Sequence, residues 1–208
     1  GIILINKPKE WTSHDIVNKV KKILNEKVGH TGTLDPMATG VLPLLVGKGT
    51  LCSKYLINHN KTYKVKLELG KKTDTADTEG KIVEEKEVTN KMLEKTVIKE
   101  VLNKFLGKQE QIPPIYSAIK VNGKKLYEYA RKGQTVEIKP RQIEIYSIEL
   151  LSIDKKLKQI EFKVSCSKGT YIRSLCEDIG NKLRNCSIYE RIAKNQGWGF
   201  FYNKCNKY

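Results

Sequence analysis

The sequence predicts an α+β protein whose mixed, largely antiparallel sheet is flanked by helices. Three observations predict it. Stretches with strand patterning outnumber helical ones, most strand stretches follow one another with no helix between, and 208 residues suit one catalytic-size domain with room for an insertion.

Residues 2–5, Ile-Ile-Leu-Ile, read as a short buried strand. Thr12 or Ser13 then caps a helix that places Ile16, Val17, Val20, Ile23 and Leu24 on one face. A glycine-rich loop follows, and residues 41–46 read as a second buried strand. Gly47-Lys48-Gly49-Thr50 lacks the spacing of a phosphate-binding loop, which excludes nucleotide binding there. Tyr63, Val65, Leu67 and Leu69 alternate with mostly polar residues, the period of a half-buried strand. A helix is expected from Thr89 to Gly107, with Leu93, Val97, Val101, Leu102, Phe105 and Leu106 as its stripe. Residues 112–139 break the pattern with two prolines, three tyrosines and six lysines or arginines, and read as an insertion beside the core. Ile143, Ile145 and Ile148, then Ile160, Phe162 and Val164, predict a strand pair turning at Asp154-Lys155-Lys156. Residues 171–183 read as a helix with Ile172, Leu175, Cys176, Ile179 and Leu183 inward.

The net charge is +16, and such an excess favours a polyanionic partner through phosphate neutralisation and counterion release. Part of it reflects a lysine-rich, arginine-poor composition. The five cysteines, at 52, 166, 176, 186 and 205, form no C-x-x-C pair, and the three histidines are scattered. Neither a zinc site nor a disulfide framework is expected, and the cysteines suit a reducing intracellular compartment, cytoplasm, mitochondrion or plastid alike. No run of about 18 apolar residues occurs, so no membrane span is expected.

Residues 29–43, Gly-His-Thr-Gly-Thr-Leu-Asp-Pro-Met-Ala-Thr-Gly-Val-Leu-Pro, hold one acid, one histidine and three glycines. Pro36 biases Asp35 to an extended backbone. Read alone, Asp35 would be a turn-forming aspartate. The string as a whole resembles the catalytic motif of the TruB family of tRNA pseudouridine synthases. Further blocks carry the resemblance in order: Asn6-Lys7-Pro8-Lys9-Glu10-Trp11-Thr12-Ser13, Lys61-Thr62-Tyr63, the run 70–80 around Asp77, the run 111–120 (Gln-Ile-Pro-Pro-Ile-Tyr-Ser-Ala-Ile-Lys), and Lys168-Gly169-Thr170-Tyr171-Ile172-Arg173.

The resemblance implies a pseudouridine synthase fold over residues 1–208, with residues 112–139 as an RNA-binding thumb and no C-terminal PUA-like domain. It implies base extrusion and covalent catalysis on uridine 55 of the tRNA T-loop, without metal or cofactor, by a monomer. It assigns Asp35 as nucleophile and Arg173, one of only five arginines, as the cation paired with it. Tyr63, otherwise a core aromatic, would stack on the target base. His30 would fill the gap the extruded base leaves, Tyr171 and Ile192 would wall the uridine pocket, and Lys7, otherwise a solvated lysine, would border it. Asp77 is expected to fix a turn or to order Tyr63 rather than to do chemistry. Lys120, Lys124, Lys125 and Arg131, interleaved with Tyr116, Tyr127 and Tyr129, would meet the T-arm through phosphates and stacking. Two departures stand out. Glu10 occupies a position where the family usually has glycine, and residues 192–200 lack the family's arginine-rich ending.

Overall fold

A computed structural model describes residues 1–56, 60–78 and 80–196; the side chains of residues 191, 192 and 194–196 lie outside that description. The elements run in chain order as β1 (Ile2–Lys7), α1 (Ser13–Leu24), β2 (Val28–His30), β3 (Thr39–Val46), α2 (Ser53–Leu56) and β4 (Lys61–Leu69). Then come β5 (Lys71–Thr73), β6 (Ile82–Glu85), α3 (Lys95–Asn103), β7 (Gly107–Gln111), β8 (Lys120–Val121) and β9 (Lys124–Lys125). The last are α4 (Leu126–Arg131), β10 (Arg141–Asp154), β11 (Gln159–Cys166), α5 (Ile172–Lys182) and β12 (Ser187–Gln196). The chain divides into two units, one of Gly1–Lys64 with Arg191–Tyr208, the other Val65–Glu190.

In the first unit β1 runs antiparallel to β3 from Ile2 against Leu45 to Lys7 against Gly40. β2 is also antiparallel to β3, and Ala193 and Lys194 of β12 lie parallel to Thr39 and Gly40. β3 is buried from Leu42 to Leu45, as its apolar run requires. Thr12 caps α1 through a reciprocal capping box with Asp15. Ile16 and Val17 are buried, but Ile23 is 70% exposed and Leu24 is also exposed. The apolar stripe read along α1 thus packs only in its first half. Residues 47–52, where nucleotide binding was excluded, form a 3-10 turn.

In the second unit the strand order is β4–β11–β10–β7, with β10 antiparallel to both neighbours. The alternation of β4 holds, with Val65, Leu67 and Leu69 buried. Every inward residue expected on α5 is buried. The helix expected from Thr89 to Gly107 is instead a 3-10 turn, Asn90–Leu93, then an extended Glu94, then α3. Ile98 rather than Val97 is fully buried, and Leu106 is exposed. Restarting the helix at Glu94 rotates the stripe. β5–β6, β7 and β12 were not expected from the sequence. Gly-Lys-Gln-Glu-Gln of β7 has no apolar alternation, because an edge strand is held by its ladder to β10 rather than by side-chain burial. The class is α+β: β1–β3, β2–β3, β10–β11 and β10–β7 are antiparallel, and β3–β12 is parallel.

Within residues 112–139, β8 and β9 form a hairpin closed by Asn122 (φ 50°) and Gly123 (φ 80°), a two-residue turn with the left-handed conformations that Asn-Gly favours. The chain then returns onto its own stem. The Leu126 N–H donates to the Ile119 carbonyl (2.8 Å) and the Tyr127 N–H to the Ser117 carbonyl (3.1 Å), with Leu126 fully buried.

Candidate functional site

The first unit builds the surroundings of Asp35. Asp35-Pro36-Met37-Ala38 is a β-turn, closed by the Ala38 N–H donating to the Asp35 carbonyl at 3.0 Å, with Pro at the second position where its fixed φ belongs. Leu34 and Ala38 are buried on either side, so the turn is anchored at both ends while Asp35 stays half-exposed. Two further residues fix it. The Ser13 hydroxyl, at the start of α1, accepts from the Leu34 N–H at 2.8 Å and donates to the Leu34 carbonyl at 3.2 Å. Lys7, at the end of β1, is fully buried, and its ammonium donates to the carbonyls of Trp11 (2.6 Å), Pro36 (2.8 Å) and Pro8 (2.9 Å). An ammonium has three protons, and these three carbonyls take all of them.

Lys7 is therefore no solvated lysine. Its side chain is spent on backbone, and it braces the peptide that follows Asp35. Burial pushes its pKa down, opposed by the nearby carboxylates of Asp35 and then Asp15. The Pro36 carbonyl takes a second bond from the Glu10 N–H at 2.9 Å. Glu10 reaches it in a left-handed conformation, φ 70°. That explains the glycine usual at this position: only glycine adopts such a φ without steric cost.

His30 lies half-buried on β2 opposite Leu44, and Tyr63 is buried on β4. The backbone of Ile192 belongs to β12, but its side chain, and residues 197–200, lie outside the described residues.

The second unit builds the start of α5. Arg173 is 8% exposed; its Nη2 donates to the Tyr116 carbonyl (2.9 Å) and its Nη1 to that of Thr75 (3.5 Å). Tyr171, half-buried, is the N-cap residue. Thr75 in turn belongs to the turn that Asp77 shapes: the Thr75 hydroxyl donates to the Asp77 carboxylate and the Thr73 hydroxyl to the Asp77 carbonyl, both at 2.6 Å. Asp77 thus fixes a turn, the first of the two roles expected of it.

On the insertion Lys120, Lys124 and Arg131 are exposed and Lys125 half-exposed. The Lys125 ammonium and the Arg131 guanidinium both lie 5.3 Å from the Tyr127 ring centre, and the Tyr129 hydroxyl donates to the Val121 carbonyl at 3.1 Å. The tyrosines read as base-stacking platforms thus have work inside the insertion: Tyr127 gathers two cations and Tyr129 ties the hairpin. Among the described residues no cluster of three or more His, Cys, Asp or Glu could hold a metal, and no helix is long and apolar enough to cross a membrane.

Sequence reasoning missed Ser13 as a brace of the Asp35 turn, and it missed Gln111 and Ser174, which tie the insertion's stem to α5. All three lie inside or beside the motif blocks. Their partners are 21 to 62 residues distant, a separation that no local pattern encodes.

Comparison with known proteins bears on what this arrangement serves. The model of the TruB family pseudouridylate synthase N-terminal domain matches residues 21–172. The tRNA pseudouridine synthase B of Clostridium kluyveri is 55% identical over 187 residues, 89% of this chain and 63% of that protein. That of Bacillus subtilis is 46% identical over 209 aligned positions, covering 99% of this chain and 67% of its own. Among solved structures, a Cbf5–Nop10–Gar1 complex superposes with a TM-score of 0.71 at 31% identity, over 94% of this chain and 48% of that one. An H/ACA RNP bound to a substrate RNA containing 2'-deoxyuridine gives 0.68 at 29% identity, over 95% and 47%. The chain spans under two thirds of the length of the first Clostridium relative.

Proposed function

The chain belongs to the TruB family of pseudouridylate synthases, and from that premise we propose that it isomerises uridine to pseudouridine in the T-loop of tRNA, at position 55. The observation that carries the reading is the braced turn. A half-exposed carboxylate sits on a turn fastened by Ser13 and Lys7, so the carboxylate is presented while its backbone is held from behind. The reaction breaks the N1–C1′ bond, turns the base, forms C5–C1′ and moves the C5 proton off as N1 gains one. Electrons balance without an oxidant. Asp35 is the covalent catalyst. Tyr63 packs the base and takes part in the proton movement, and Arg173, its guanidinium held by two carbonyls, supplies the supporting charge. His30, Tyr171 and Ile192 are assigned to the RNA side of the site. Lys7 supports the turn from behind and does not touch RNA.

We assign residues 112–139 the role of a thumb, with Lys120, Lys124, Lys125 and Arg131 meeting T-arm phosphates, and we place the protein, as a monomer, in a reducing compartment. The buried thiols of Cys166, Cys176 and Cys186 support the last point. The higher identity to the tRNA enzymes than to the H/ACA proteins favours tRNA over a guide-dependent substrate.

The test is Asp35→Asn against an unmodified T-arm stem-loop, enzyme in excess, no cofactor, EDTA present. The parent should convert the stem-loop, while the variant should bind it and form no pseudouridine. Asparagine shapes turns as well as aspartate does, so a variant that still turns over would return Asp35 to a structural role.

A further inference from the structure

Three side chains fasten the stem of the insertion to the start of α5. Gln111, 4% exposed at the end of β7, uses both ends of its amide on one residue. Its Oε1 accepts from the Tyr171 N–H at 2.8 Å and its Nε2 donates to the Tyr171 carbonyl at 3.1 Å. The Ser174 hydroxyl donates to the Ile112 carbonyl at 2.9 Å, and Arg173 Nη2 donates to the Tyr116 carbonyl. The Tyr171 carbonyl also accepts the first helical bond of α5, from the Leu175 N–H at 3.1 Å, so both of its lone pairs are used.

Tyr171 is the last non-helical residue before α5 (φ −94°, ψ 114°), and no side chain of its own caps the helix. A rotation of its peptide would turn the whole first helical turn, and Arg173 lies two residues on. Gln111 blocks that rotation by holding both polar groups of the residue at once. Packing alone does not call for glutamine here. Ordering a long amide side chain costs on the order of 1.5–2 kcal/mol of rotamer entropy, and an aliphatic residue would fill the site for about 0.5–1 kcal/mol.

We propose that Gln111 is a positioning residue of the reaction: by clamping both backbone polar groups of Tyr171 it sets the register of the α5 start, and with it the directions of the Tyr171 ring and the Arg173 guanidinium. The inference rests on the isomerase reading above. It distinguishes two ways of losing a hydrogen bond. Removing the clamp should leave RNA capture intact, since the exposed cations of the insertion are untouched, and should slow the step that needs Arg173 and Tyr171 in place. Misplacement of a group by about 1 Å can cost on the order of a hundredfold.

The experiment measures single-turnover conversion of an unmodified T-arm stem-loop at saturating enzyme, with the dissociation constant of the same stem-loop, for the parent, Gln111→Ala and Gln111→Glu. Gln111→Ala should bind within about threefold of the parent and react at least about thirtyfold more slowly once bound. Gln111→Glu supplies a readout that a purely structural role would not move. As a carboxylate the new side chain can accept from the Tyr171 N–H but sets an oxygen against the Tyr171 carbonyl. Once protonated it donates and accepts as the amide does. Its rate relative to the parent at the same pH should therefore recover at least about fivefold between about pH 8 and pH 4, the range in which the carboxyl takes up its proton when burial raises its pKa and the neighbouring cations lower it. The charged groups about it, Arg141 opposite on β10 and Arg173 on α5, stay cationic throughout. Gln111→Ala reacting at the parent's rate, or a Gln111→Glu ratio flat with pH, overturns this inference alone. A parent that forms no pseudouridine overturns the proposed function and this inference with it.

Discussion

The turn that carries Asp35 and the helix start that carries Arg173 are each tied by hydrogen bonds to a distant part of the chain, with opposite chemistry. Behind Asp35 a buried cation, Lys7, is shared among three carbonyls, beside the neutral Ser13 hydroxyl. Behind Arg173 the donors are neutral, the Gln111 amide and the Ser174 hydroxyl. A turn that presents an anion gains from a positive charge nearby, through simple Coulomb attraction. A helix start that presents a cation would be harmed by one, and a neutral amide fixes it without repulsion. Each region also carries its own discomfort: a left-handed Glu10 beside the first, a half-buried Asp178 along the helix of the second.

The largest effect should come from breaking the charged brace. Lys7→Met keeps the length of the stem and removes the ammonium, leaving the carbonyls of Pro8, Trp11 and Pro36 without it. Buried acceptors that lose a partner cost about 1–3 kcal/mol each; these are only part-buried and the Pro36 carbonyl keeps the Glu10 N–H, which makes the sum about 3 kcal/mol rather than more. Urea unfolding should show that loss at an unchanged m-value. A loss under about 1 kcal/mol would mean that water replaces the ammonium and that the two braces do not differ.

A smaller effect, of opposite sign, sharpens the other side. Burial, then the neighbouring Glu177, pushes the Asp178 carboxyl from its ordinary 3.8 up to about 6 in the fold, against the pull of Lys182. Between those values the folded state binds more protons than the unfolded one, so stability falls as pH rises through that window. Above about pH 6 the fold holds an unwelcome charge. Asp178→Asn should therefore stabilise the protein at pH 7 by about 1 kcal/mol, a figure discounted for solvent screening of a partly exposed group. The gain should vanish below about pH 4. Thermal melts of the two proteins across pH check it, and a gain that persists in acid would assign the effect to something other than charge.

How much of this was legible depends on how local each cause is. On α5, burial of Ile172, Leu175, Cys176, Ile179 and Leu183 follows from helical periodicity, and the alternation of β4 is equally local. α1 shows where the logic stops: its stripe continues to Ile23 and Leu24, yet both stay exposed among the described residues, and periodicity gives a face without saying what covers it. The polar edge strand β7 left no pattern at all. The candidate site divides the same way. Asp35 could be singled out from its own motif, whereas the burial of Lys7 depends on Pro36, 29 residues away, and that of Gln111 on Tyr171, 60 away.

The smallest expected effect returns to the Asp35 turn and its strain. Glu10 has φ 70°, and its side chain is exposed, so the side chain contributes little to set against the backbone cost. A left-handed conformation costs a residue with a Cβ about 1–2 kcal/mol, and glycine adopts it freely. Glycine also gains entropy in the unfolded chain, which returns roughly 0.5–1 kcal/mol of that advantage. Glu10→Gly should therefore stabilise the protein by about 0.5 kcal/mol, while Glu10→Ala, which keeps the Cβ, should give nothing. Its N–H would still donate to the Pro36 carbonyl, the acceptor that Lys7 also holds, so turnover should be unchanged. Paired chemical denaturation of the three proteins decides it. A glycine variant no more stable than the alanine one would show that the left-handed backbone at Glu10 costs no more than the roughly 0.5–1 kcal/mol that glycine loses to unfolded-chain entropy, and that the brace behind Asp35 is less strained than its φ implies.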